Sequence, residues 1–92
     1  MLDLYYLSDS DGTKPSLILT DKVLRKIEAS FLKLKNKTGI YIDPYGKTRV
    51  YPEHQKILID DLSDFKDEDV VYLVNYLIEA RNDNEVIIAD GD

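Results

Sequence analysis

Asp9 and Asp11 come closest, by type and spacing, to residues that could do chemistry. The string "LYYLSDSDGT" (4–13) ends an apolar run in Asp-x-Asp-Gly-Thr. Closely spaced carboxylates can ligate a divalent cation, and a carboxylate can also act as a nucleophile. The same residue types build turns, because Asp accepts from nearby backbone N–H groups and Gly tolerates a left-handed backbone. A calcium loop of the EF-hand kind counted from Asp9 needs a glutamate at its twelfth position, which here is Thr20.

The string resembles the first motif of the haloacid dehalogenase phosphotransferases. The resemblance implies that Asp9 attacks phosphorus and Asp11 works as acid and base. It further implies a lysine, a later acidic pair and Mg²⁺ converging on Asp9, on a doubly wound parallel sheet longer than this chain. "VIIADGD" (86–92) offers Asp90 and Asp92 as such a pair. The motif runs on into Lys14-Pro15 and another apolar run rather than into a helix. A motif carries chemistry only in its structural context, so Asp9 and Asp11 are expected at a solvated hairpin tip.

Little else suggests catalysis. His54 is the single histidine and there is no cysteine. A zinc site would need that one imidazole plus carboxylates, and the expectation is an exposed or half-buried histidine early in a short helix, with Glu53 facing another way. The four glycines stand far apart, so no phosphate-cradling loop is present. A non-enzyme without cofactor or metal is expected.

Hydrophobic patterning defines the elements that would position these residues. "LDLYYL" (2–7) and "SLILT" (16–20) are short apolar runs around the Asp-Gly turn and predict an antiparallel hairpin. Residues 21–39 predict a helix: Thr20 is its N-cap, Leu24, Ile27, Phe31 and Leu34 recur at helical spacing, and Gly39 sits at the C-terminal cap. "GIYIDPYGKTRVYP" (39–52) predicts a second hairpin turning at "DPYG". Pro52 opens a short helix over 52–62, with a strand through "KILI" as the rival. Residues 63–84 predict another helix, capped by Ser63 or Asp64, with Val70, Leu73, Val74, Leu77 and Ile78 inward. "EVIIA" (85–89) predicts a closing strand. The expected fold is α/β of the α+β type: one domain over 1–92, in two layers. Two long helices and one short helix lie on one face of a mostly antiparallel sheet.

Charge is divided along the chain. Residues 1–59 carry ten Lys/Arg and seven Asp/Glu, while residues 60–92 carry two and eleven. The net charge is −6, and the second segment alone holds −9. With no cysteine, no apolar run long enough to span a bilayer and an Asp at position 3, a cytoplasmic protein without membrane contact is expected. An acidic surface repels nucleic acid and attracts basic partners.

Two surfaces could bind a partner. On the first helix Lys22, Lys26, Lys33 and Lys37, with Arg25 alongside, make a basic face that could contact phosphates, the mark of a nucleic-acid-binding regulator. In the second half Asp60, Asp61, Asp64, Asp67, Glu68 and Asp69 crowd ten residues. Glu68, Tyr72, Asn75 and Glu79 then fall on one outward stripe, with Asp69 and Tyr76 beside it. Acids at a helix start favour its dipole. Outward tyrosines need a further reason, and interfaces supply one. The expected partner-binding set is Asp60, Asp61, Asp64, Glu68, Asp69, Tyr72, Tyr76 and Glu79.

Small size, an acidic tyrosine-bearing face and the segment "TGIYIDPYGKTRVYPEHQKILIDDL" (38–62) resemble the bacterial immunity proteins that neutralise a co-produced toxin. The resemblance implies an inhibitor of a cognate basic toxin, often a nuclease, and brings no site residues with it. A carboxylate-rich plug would enter a cationic cleft quickly and block substrate. The alternative is the regulator using the Lys-rich helix 21–37.

Overall fold

A computed structural model describes residues 1–91. The elements run β1 (Leu2–Tyr6), β2 (Ser16–Leu19), α1 (Asp21–Thr38), β3 (Lys47–Val50), α2 (Pro52–Leu62), α3 (Glu68–Asn82) and β4 (Ile87–Gly91). The strands form one sheet in the order β2-β1-β4-β3, and every pairing is antiparallel. The architecture is therefore α+β, with the last strand placed centrally between the first and the third.

Alternation along β1 sets the layers. Leu2, Leu4 and Tyr6 are buried, while Asp3 and Tyr5 face the other way. Leu19, Val50, Ile87 and Ala89 continue the inner face. Against it lie Val23, Ile27, Phe31 and Leu34 of α1, Leu58 and Leu62 of α2, and Val70, Leu73, Val74 and Leu77 of α3. The outer face carries no helix. There Ile88 stands between Tyr5 and Arg49, and Asp90 between Asp3 and Lys47.

Local chemistry fixes α1 at both ends. The Thr20 side chain accepts from the Val23 N–H, and Gly39 takes φ +81° while its N–H donates to the Lys35 carbonyl. Val23, rather than Leu24, is fully buried, and Leu24 is half-buried at the rim. The short helix over 52–62 forms as expected. Gln55 anchors it, donating to the carbonyls of Val50 and Glu85 at 2.8 Å each.

Three expectations need correction. The segment 39–52 is not a hairpin. Only Lys47–Val50 is a strand, and its partner is β4. Ile42 instead fills the core from an irregular stretch, and Thr48 Oγ1 donates to the Tyr41 carbonyl. The second long helix starts at Glu68, not at residue 63. Ser63 closes α2 with its N–H on the Ile59 carbonyl, and Phe65 packs on the core from the connection. β4 runs two residues further than expected, because its pairing with β1 and β3 reaches Asp90 and Gly91.

Candidate functional site

The Asp9–Asp11 loop is a tight turn whose carboxylates are engaged by its own backbone. Asp9 Oδ1 accepts from the Gly12 N–H at 2.9 Å. Asp11 Oδ1 accepts from the Thr13 N–H at 3.2 Å and the Thr13 hydroxyl at 2.7 Å. That hydroxyl is the main reason the Asp11 carboxyl lies below its ordinary value. Lys14 turns away to Ser8 Oγ at 2.7 Å and Glu85 at 3.4 Å. Asp90 is paired with Asp3, at the opposite end of β1 from this loop. Asp92, the other acid of the expected pair, lies outside the described residues. Among the described residues no group of three or more His, Asp or Glu stands ready to hold a metal ion.

His54 is buried rather than exposed or half-buried. Its Nδ1 accepts from the Tyr51 N–H at 3.2 Å, and its ring meets that of Tyr51 edge-on at 5.7 Å. Glu53 lies nearer than expected, with Oε1 4.0 Å from His54 Nε2. The imidazole satisfies a donor at the start of α2.

The acidic segment and the basic helix meet. Lys26 Nζ is 3.0 Å from both Asp67 Oδ2 and Asp69 Oδ2. Asp61 accepts from the Ser30 hydroxyl and from Lys33 Nζ at 2.9 Å. Hydrogen bonding to Asp69, then to Asp67, raises the Lys26 pKa. Asp69 is lowered in turn, first by Lys26. Asp61 is lowered by the Ser30 hydroxyl and then by Lys33. Two members of the expected partner-binding set, Asp61 and Asp69, are thus internal ion-pair partners joining α1 to α2 and α3. The basic face of α1 is reduced by the same contacts.

Tyr76 is the clearest correction within that set. It is 6% exposed, and its hydroxyl donates to the Pro15 carbonyl at 3.2 Å. Burial is the largest cause raising its pKa, with Tyr6 next. The inner arc of α3 leans toward Tyr6 and Pro15, so it takes in Tyr76 and leaves Ile78 exposed.

What remains is an outward face on α3. Tyr72 is 64% exposed, and Val71 and Ile78 are exposed beside it. Val71, Asn75 and Ile78 follow helical spacing, as do Glu68, Tyr72, Asn75 and Glu79. Asp60, Asp64, Glu68 and Glu79 are all exposed, and their carboxylates make no hydrogen bond or ion pair with the described residues. The arrangement is two neighbouring stripes, Tyr72 with Glu68 and Glu79 on one and Val71 with Ile78 on the other, with Asn75 between them.

A second aromatic feature escaped the sequence reading. Asp43 Oδ1 accepts from the Tyr45 N–H at 2.9 Å, and Gly46 N–H donates to the Asp43 carbonyl at 3.2 Å. This turn leaves Tyr45 82% exposed. The Gly91 N–H donates to the Gly46 carbonyl at 2.7 Å and fastens the turn to the sheet. An open groove of about 400 Å³ lies beside it, lined by Met1, Leu24, Arg25, Tyr41, Pro44 and Tyr45 among others. The signal in the sequence was an aromatic residue inside a "DPYG" turn, where polar residues are usual. A small cavity of about 20 Å³ is lined by apolar side chains that include Phe31, Leu73 and Leu77.

No helix of the described residues is long and apolar enough to cross a membrane. No known family model, curated protein or solved structure matches the chain.

Proposed function

We propose that this chain is a binding protein that neutralises a basic protein partner, in the manner of the bacterial immunity proteins its middle segment resembles. The observation that carries the reading is the outward face of α3, where exposed Tyr72 on one side and Val71 and Ile78 on the other border the unpaired carboxylates of Glu68 and Glu79, with exposed Asp64 in the connection just before the helix. A tyrosine is a frequent energetic anchor of protein interfaces, and exposed apolar side chains beside carboxylates suit a partner that is part apolar and part cationic. The rim carboxylates attract a cationic surface and speed encounter. Ion pairing of Asp61 and Asp69 narrows the contact set to Asp60, Asp64, Glu68, Val71, Tyr72, Ile78 and Glu79.

The regulator reading rests on the lysines of α1. Lys26 and Lys33 are occupied by carboxylates, which leaves Lys22, Arg25 and Lys37 of that face for phosphate. The two readings separate in one experiment. The purified chain is titrated against labelled single- and double-stranded DNA at low salt, and in parallel against any basic protein encoded by a neighbouring gene. Binding to that protein, lost with Glu68→Lys and Tyr72→Ala in a folded chain, supports the inhibitor. Retention of DNA, weakened by Lys22→Glu with Lys37→Glu, supports the regulator.

A further inference from the structure

We infer that a second copy of this chain pairs with the free edge of β2, antiparallel about Ile18, and joins two four-stranded sheets into one of eight. The argument starts from the two ends of the sheet. An outermost strand carries backbone N–H and C=O groups on its far side, and proteins guard such edges with charge, proline, bulges or a covering loop. β3 is guarded. It carries Lys47 and Arg49, Lys47 pairs with Asp90 at 3.7 Å, and Thr48 is tied to the Tyr41 carbonyl of the preceding loop. β2 is the opposite case. Its four residues, Ser-Leu-Ile-Leu, include no charge, proline or glycine, and among the described residues it pairs only with β1. Ile18 is 58% exposed on the outer face.

The sequence of β2 matches itself. Residues directly opposite in an antiparallel pair share a face, so a one-residue slip would place Leu17 and Leu19 against outward residues. Two symmetric registers keep the faces aligned. Centred on Leu17, the exposed Ile18 meets Ser16 of the second copy. Centred on Ile18, the two Ile18 side chains meet on the outer face, and Leu17 meets Leu19 twice on the core side. Ser16 then faces Thr20. The second register pairs every apolar side chain with another, and no charged residue falls within the paired segment 16–20. A two-fold contact of this kind closes on itself and stops at a dimer. Pro15 sets one limit, its carbonyl already taken by Tyr76, and the Thr20 cap of α1 sets the other.

The contact uses residues 16–20 and none of the proposed partner-binding residues of α3, so it is tested on the chain alone. Sedimentation of the full chain across a wide concentration range should show a mass rising from 10.6 kDa toward twice that value. Ile18→Lys places two lysines at the two-fold axis on an exposed position, and should hold the mass at the monomer with an unchanged urea midpoint. The chain has no cysteine, so one introduced at Ile18 can form only an intermolecular disulfide. Ile18→Cys should cross-link at least tenfold faster than Lys47→Cys on the guarded edge. A wild-type chain that stays monomeric throughout overturns the inference. So does a dimer indifferent to Ile18→Lys, or equal cross-linking at the two edges.

Discussion

The rings of Tyr6 and Tyr76 lie 5.8 Å apart, tilted by 39°, and only one of the two buried hydroxyls has an acceptor. Tyr76 reaches the Pro15 carbonyl, while the Tyr6 hydroxyl makes no hydrogen bond among the described residues. Burial, then the carboxylates of Glu79, Asp83 and Glu85, keeps the Tyr6 hydroxyl protonated by raising its pKa. The pair fixes the rotation of α3 over the sheet, and so decides which α3 side chains are left outside.

The two hydroxyls should respond differently to removal. Tyr6→Phe deletes an unsatisfied buried group and is expected to leave stability unchanged or raise it by about 1 kcal/mol. Tyr76→Phe breaks a bond and should cost about 1 kcal/mol, with Tyr76→Ala costing about 3–5 kcal/mol. Urea midpoints at neutral pH measure all three. A Tyr76→Ala chain as stable as wild type would mean the side chain faces solvent.

Stability should fall in acid partly through Asp61. Its carboxyl is held below the unfolded value by Ser30 and Lys33. A carboxyl of that kind stabilises the fold above its unfolded pKa, about 4, and the contribution is lost as pH falls through the lower folded value. Asp69 behaves in the same way through Lys26. The expected outcome is a wild-type urea midpoint flat from neutral to mildly acidic pH and dropping below about pH 4. Asp61→Asn should lower the neutral plateau and shrink the acid drop. An unchanged drop in that variant would show the carboxylate is not held.

Gly91 should resist any side chain. A Cβ there would stand 2.0 Å from the Pro44 carbonyl oxygen, a backbone atom that cannot swing aside. Gly91→Ala is expected to cost about 1–3 kcal/mol by overpacking and to displace the turn that presents Tyr45. Amide NMR shifts should move most at Asp43, Tyr45 and Gly46. A change confined to the C-terminus would show that the turn is not seated on β4.

How much of this was legible depends on the range of each interaction. The α1 caps, the β1–β2 hairpin and the short helix α2 depend on residues a few positions apart, and their signals stand in the sequence. β3 finds its partner some forty residues later, so "IDPYGKT" read as its own hairpin. Val70, Leu73, Val74 and Leu77 fixed the centre of the inner face of α3 but not its flanks. Whether Tyr76 or Ile78 joins them depends on Tyr6 and Pro15 beneath, which helical periodicity cannot see. Summed charge likewise revealed an acidic segment without revealing that Lys26 and Lys33 hold Asp67, Asp69 and Asp61. Those ion pairs decide which carboxylates remain for a partner.

Leu77 tests the core independently of any partner. It is buried where α3 meets the sheet and borders the small apolar cavity. Leu77→Ala should cost about 2–5 kcal/mol, a large share of the stability of a chain this size. By contrast, Asp9→Asn with Asp11→Asn should change the urea midpoint little, at well under ~1 kcal/mol, because the turn is exposed and local. Mg²⁺-dependent phosphatase activity lost in that double variant would restore the catalytic reading of the loop.

The α3 face makes the final prediction, and charge and aromatic contact should separate kinetically on it. Asp64→Lys with Glu68→Lys reverses exposed charges that have no partner among the described residues. It should slow association with the proposed basic partner and flatten the salt dependence, leaving dissociation nearly unchanged. Tyr72→Ala removes the exposed anchor and should mainly speed dissociation, at a cost of about 2 kcal/mol or more for a hot spot. Lys26→Glu with Lys33→Glu is a poor comparison, because those lysines hold α1 against Asp61 and Asp69, and loss of folding would mimic loss of binding. Lys22→Glu with Lys37→Glu makes the fair one. Tyr45→Ala supplies the other arm, since Tyr45 is even more exposed and lies on a different element beside the groove. Surface plasmon resonance at two salt concentrations reads all four variants. If Tyr45→Ala abolishes binding while the α3 variants bind as wild type, the partner sits on the 43–46 turn, and the α3 face is not the inhibitory surface.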